Sequence, residues 1–259
     1  MVDHPPVLIA PDTFGGELRA PVVAAAIARG LERAGVMPLP ELCPLSGGGA
    51  GTIEALLPAL GGETGDGFAL VEDGGTAIVE LGDASAALTG ERLAVAAATG
   101  AAVVVLAAAG AGADADSGAA AALLEALGDH GGLGGAALLV LCAVRAPGEL
   151  AVHLRDAGGA RLEAGAPFVL DALGFDARMR AARALIVGEA RLDRDTLLQS
   201  RVTGEIATRA RQSGVPCHAV VAHDAIDRFD ARILDLQAIL EASSIAELEA
   251  AGVALAAYL

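Results

Sequence analysis

Charged and hydroxyl side chains gather where two apolar runs of this 259-residue chain end. The run Leu185-Ile186-Val187 stops at Gly188, and Glu189, Arg191 and Asp193 follow at once. Near the amino terminus, Val7-Leu8-Ile9-Ala10 passes through Pro11 into Asp12-Thr13. Two acids with an arginine can orient a hydroxyl, accept its proton or hold a metal ion. Open α/β sheets bind ligands beyond the carboxyl ends of their strands, and both clusters follow such ends. The plainer alternative is a solvated loop carrying a surface ion pair, which contributes little.

A glycine turn, Gly47-Gly48-Gly49-Ala50-Gly51, precedes Thr52. Glycines let backbone N–H groups approach phosphate or carboxylate oxygens, with a helix dipole behind them. The spacing matches neither the P-loop, which ends in Gly-Lys-Ser/Thr, nor the dinucleotide fingerprint, so an ordinary strand-to-helix turn competes. Asp114 and Asp116 precede a helical stretch. They either stabilise its first turn through the dipole or contact a metal or substrate hydroxyl. Cys217 and His218 are neighbours in a predicted strand and point to opposite faces, which makes them poor joint ligands.

Positioning these groups requires alternating strands and helices. Apolar runs predict strands at Val7–Ala10, Leu39–Leu45, Gly67–Val71, Thr76–Leu81, Ala102–Ala108, Leu138–Val144, Ala184–Val187 and Pro216–Val221. Helical periodicity predicts helices over Arg19–Ala34, from Thr52 to Leu60, and over Gly90–Ala98, Ala119–Leu127, Pro167–Leu173, Asp176–Ala182 and Asp195–Gln212. Thr52 is placed as the cap of its helix, and Ser244 with Glu247 fits a capping box. Gly158–Gly165 is read as a loop between lobes, and Ile233–Leu240 is ambiguous. The predicted class is α/β, two lobes with largely parallel sheets. The first lobe comprises residues 1–65 plus 163–259, and the second is inserted at 66–162.

Composition narrows the partners. Hydrophobic residues make up 54% and aromatics 2%, so the core must pack aliphatic side chains closely. A formal charge of −16 without a basic stripe excludes nucleic acid and an anionic membrane surface as expected partners. All 17 basic residues are arginine. Three scattered cysteines do not form a disulfide framework. The start of the chain lacks the order of a signal peptide, and a cytoplasmic setting is expected. The apolar run from Leu93 to Ala113 is broken at Thr99-Gly100 and Gly110, which argues against a membrane span.

Taken together these segments resemble the bacterial glycerate kinase family. Ile9-Ala10-Pro11-Asp12-Thr13-Phe14-Gly15-Gly16 is similar to its Ile-Ala-Pro-Asp-Ser-Phe-Lys-Gly. Gly47-Gly48-Gly49-Ala50-Gly51-Thr52 is similar to Asp-Gly-Gly-Glu-Gly-Thr, and Gly188-Glu189-Ala190-Arg191-Leu192-Asp193 to Gly-Glu-Gly-Arg-Leu-Asp. The resemblance implies two α/β lobes with the active site in the cleft between them. It also implies ATP and Mg²⁺, with phosphoryl transfer to a hydroxyl of glycerate or a similar hydroxy acid. Under it Asp12, Arg191 and Asp193 are catalytic. Thr13, Gly47, Gly48, Gly49, Gly51, Thr52, Glu189 and Arg201 bind substrate or phosphate, and Asp114 and Asp116 are the metal positions. The chain departs from the family at Gly15, where a lysine is usual, and at Gly47 and Ala50, where acids are usual. Arg201 replaces a lysine. The alternative is a non-catalytic member that binds a small anion or a protein partner. The oligomeric state is left open.

Overall fold

The computed structural model describes residues 4–14, 18–110, 115–143, 147–194 and 201–259. Contacts group the chain into two compact units, Met1–Ser46 with Gly174–Leu259, and Gly47–Leu173. The class is α/β with mostly parallel sheets, as predicted.

The first unit holds β1 (Val7–Pro11), β2 (Glu41–Leu42), β9 (Ala184–Leu192), β10 (Cys217–Asp224) and β11 (Leu236–Glu241). They lie in the order β11-β10-β9-β1-β2, every pair parallel. Counted within the unit, this is the doubly wound order 2-1-3-4-5. Its topological switch point falls between the first and third strands, here β1 and β9. All five residues of β1 are buried, as expected of a parallel strand covered on both faces.

Helix α1 (Ala20–Arg33) starts with Pro21 in its first turn and buries Val23, Ile27 and Leu31. It packs beside α10 (Ile245–Leu255), which begins in the Ser244–Glu247 capping box. Glycines set how closely the two helices meet. A Cβ on Gly30 would overlap the Glu249 carbonyl oxygen, and one on Gly252 the Ile27 carbonyl oxygen. Arg29 and Arg33 both pair with Glu249 beside this contact.

The second unit holds β3 (Gly62–Thr64), β4 (Phe68–Val71), β5 (Thr76–Glu80), β6 (Val103–Ala107), β7 (Ala137–Cys142) and β8 (Arg161–Ala164), in that order across the sheet. The pairs β3–β4 and β4–β5 are antiparallel, and β5 to β8 run parallel. Helices α3 (Ala86–Ala98), α4 (Ser117–Asp129) and α5 (Glu149–Gly158) form the crossovers. Leu93, Val104, Leu106, Leu123, Val140 and Leu154 anchor the core. Each such side chain contributes roughly 1.5–3 kcal/mol on burial.

Several expectations need revision. The stretch 158–165 contains β8, not only a loop. Its Arg-Leu-Glu-Ala offers no apolar run, because β8 is an edge strand whose residues are at best half-buried. Thr52 is not the cap of α2 (Thr52–Leu60): Gly51 holds that position at φ +86, and the buried Thr52 hydroxyl donates back to the Gly49 carbonyl at 2.6 Å. The glycine turn, α2 and α6 (Gly165–Ala172), expected with the first lobe, group with the second unit. The ambiguous stretch at 233–240 divides between the end of α9 (Arg228–Leu234) and β11.

The chain leaves the first unit after Ser46 and re-enters it at Gly174. Arg178, on α7 (Phe175–Ala181), joins the two crossings. Its Nε donates to Glu41 Oε1 at 2.6 Å, Nη1 to Cys43 Sγ at 2.9 Å and Nη2 to the Leu42 carbonyl at 2.9 Å. Among the described residues no helix is long and apolar enough to cross a membrane.

Candidate active site

Register between β1 and β9 brings the first cluster together. Pro11 pairs with Gly188, and the Asp12 N–H donates to the Gly188 carbonyl at 2.8 Å. Asp12 thus leaves the end of β1 directly beside Glu189, at the switch point. A Cβ on Gly188 would crowd Pro11 and Phe14, so the closeness of the two strand ends depends on that glycine. The Asp12 carboxylate is fixed by the Thr13 N–H, which donates to Oδ1 at 2.6 Å, and the Thr13 hydroxyl reaches the Leu18 carbonyl at 3.4 Å.

Glu189 is only 8% exposed. Oε1 meets Arg201 Nη1 in a long contact of 3.5 Å, and Oε2 has no hydrogen-bond partner among the described residues. Burial pushes the Glu189 carboxyl up to about 7. The Thr203 hydroxyl and the Arg201 guanidinium pull it down, and the Asp12 charge adds to the rise. Thr203 is fully buried in the first turn of α8 (Val202–Ser213). Its hydroxyl is near enough to favour the charged carboxylate, although Oγ1 has no well-aligned hydrogen-bond partner among the described residues.

Period-two alternation puts Arg191 on the same face of β9 as Glu189. Arg191 Nε donates to Asp193 Oδ2 at 3.0 Å, and the arginine side chain is more than half exposed. The predicted residues Asp12, Thr13, Glu189, Arg191, Asp193 and Arg201 therefore all belong to the first unit, at the carboxyl ends of β1 and β9 and the amino end of α8. Thr203 was not anticipated, because in the sequence it sits inside a predicted helix with nothing to distinguish it.

The remaining predicted residues that the structure describes lie in the second unit. Its glycine turn is closely packed: a Cβ on Gly49 would overlap the Ala109 carbonyl, one on Gly48 the Gly165 backbone, and one on Gly165 the Gly47 carbonyl. Gly48 itself holds φ +89, and its carbonyl accepts from the Ala109 N–H at 3.1 Å. Packing alone therefore accounts for glycine at 48 and 49. The turn also borders a cavity of about 620 Å³ at the carboxyl ends of β5 and β6. Gly49, Ala50, Asp83, Ser85, Ala109 and Ala115 line it, and α3 and α4 begin at its wall. That volume suits a small-molecule ligand. The linings at 82–86 and 107–110 were not read from the sequence. The signal was present, since both follow strand ends.

Asp116 caps α4, accepting from the Ala119 N–H at 2.8 Å. The structure thus gives it the local role weighed against metal binding. Asp114 lies outside the described residues. Among those described, no three histidine, cysteine, aspartate or glutamate side chains gather where they could hold a metal ion.

The glycerate kinase family model matches residues 7–114 and 142–252. No curated protein is significantly similar in sequence. A crystal structure from Salmonella typhimurium LT2, described as "putative glycerate kinase 2", shares the fold with a TM-score of 0.74, at 19% identity, over 99% of this chain and 98% of that one. The chain belongs to the glycerate kinase family.

Proposed function

We propose that the protein transfers a phosphoryl group from ATP to a hydroxyl of glycerate or a closely similar hydroxy acid. The observation that carries this reading is the placement of Asp12 beside Glu189 at the β1/β9 switch point in a chain of this family. Phosphoryl transfer asks a protein mainly for positioning and for opposite charge near the moving group. Asp12, held by the Thr13 N–H, orients the acceptor hydroxyl and takes its proton. Arg191, oriented by Asp193, grips the substrate carboxylate through two parallel N–H donors. Arg201 and the amino end of α8 offset negative charge, standing in for the lysines the chain lacks. The nucleotide is assigned to the glycine turn and the cavity it borders, where backbone groups can approach phosphates closely.

Magnesium in such sites is held largely by substrate phosphates with one or two carboxylates. The described residues do not fit a protein-built magnesium cage, and Asp116 already uses one oxygen on its helix. No step is therefore assigned to the ion. Incubation with ATP, Mg²⁺ and D-glycerate should yield ADP and phosphoglycerate. Asp12→Asn should lower kcat by about 100-fold or more, in keeping with loss of a general base. Absence of product above a blank at high protein concentration would reject the assignment.

A further inference from the structure

We propose that Glu189, Thr203 and the amino terminus of α8 form a binding site for a small oxyanion, and that filling it draws one proton from solvent onto Glu189. Two buried polar atoms without a well-aligned hydrogen bond among the described residues carry the idea. Thr203 Oγ1 is fully buried at the second position of a twelve-residue helix whose first turn has no side-chain cap. Glu189 Oε2 is buried beside it without a hydrogen-bond partner among the described residues. An unsatisfied buried polar atom costs about 1–3 kcal/mol, and a buried hydroxyl in a helix's first turn suits an anionic oxygen. The guanidinium of Arg201, partly exposed at the helix cap, supplies a positive charge.

A carboxylate next to an incoming anion would repel it. Protonation removes the repulsion and turns Oε2 into a donor toward the anion. It also weakens the Arg201 contact to Oε1, so the guanidinium can turn to the ligand. Among the described groups around Glu189, Arg201 and Thr203 hold it charged until an anion takes their donors. Asp12, from the β1 side, already favours the protonated form, while Arg201 and Thr203, from the α8 side, supply the donors. Val221, its register partner on β10, is apolar, and Arg191, further along β9, is occupied by Asp193. Burial and Asp12 have brought the carboxyl to about 7, so the proton is readily taken up near neutrality.

The oxyanion is either the carboxylate of a hydroxy acid or a phosphoryl group. This rests on the proposed kinase reading for its ligand classes, but binding is read without ATP turnover, so the two can fail separately. Sulfate and D-glycerate serve as probes, since neither titrates between pH 6 and 8. Calorimetry on the full chain, in buffers of different ionisation enthalpy, reads affinity and proton uptake together. The expected result is uptake approaching one proton at pH 8, with affinity falling toward about tenfold per pH unit above 7. Proton-coupled binding of sulfate names the phosphoryl group as the source, and of D-glycerate the carboxylate.

Glu189→Gln, a fixed mimic of the protonated acid, should bind with no proton exchange and no pH dependence. Thr203→Val, nearly isosteric, should weaken binding roughly tenfold, the effect of one hydrogen bond to a charged group. Circular dichroism checks that each variant is folded, and the wild-type pH series decides the matter if one is not. Failure of folded wild-type protein to bind either anion would overturn the proposal. So would binding without proton uptake.

Discussion

Glu189 should cost the fold stability above neutral pH. Its carboxyl titrates near 7 in the folded chain against an ordinary value of 4.5. Between those values the folded state binds more protons than the unfolded one, so stability falls as pH rises and the full penalty is present above 7. Glu189→Gln should therefore raise the melting temperature at pH 8 and have little effect at pH 4. The gain is at most on the order of 3 kcal/mol. A variant that melts lower than wild type at pH 8 would contradict this account.

His218 has the opposite slope. It is buried, neither ring nitrogen has a partner among the described residues, and Tyr258 packs on it with ring centroids 5.9 Å apart. Burial lowers its pKa below the usual 6.5, so the fold loses stability as pH drops through 6.5. His218→Leu should flatten that acid-side loss in thermal melts between pH 7.5 and 5. At this scale Asp12, Glu189 and Arg191 were legible because charge directly after an apolar strand is unusual. Thr203 was not, since a threonine's burial depends on neighbours distant in the chain.

Elements decide what the acids near α4 are for. Asp116 caps that helix, and asparagine caps as well as aspartate does, whereas alanine does not. Asp116→Ala should destabilise the protein by about 1 kcal/mol, and Asp116→Asn by much less. Denaturant titration of the two variants distinguishes capping from a charge-dependent role. A loss of Mg²⁺-dependent turnover in the asparagine variant, with stability intact, would revive the metal reading. The strands carrying long apolar runs, β1, β6, β7, β9 and β10, could be read from periodicity. The strands β3 and β8 could not, because edge residues exposed to water carry no apolar signature. The close meeting of α1 and α10 was equally hidden. Gly30 and Gly252 show their purpose only once both helices are placed.

For the whole molecule, family membership followed from short motifs spread over nearly the full length of the chain, and the parallel α/β class followed from alternation. Unit boundaries were harder. The glycine turn follows a first-unit strand in sequence, but its glycines pack on Ala109 and Gly165 of the second unit. Each unit has its own sheet and buried core, so each is expected to fold alone. Residues 47–173 expressed by themselves should give a cooperative thermal transition by circular dichroism. A non-cooperative, molten chain would show that the second sheet needs the first.

Arg178 carries this independence one step further. By clasping Glu41, Leu42 and Cys43, it fastens the place where the polypeptide departs to the place where it comes home. The two points at which the first unit's chain is interrupted are thus tied by residues of that unit alone.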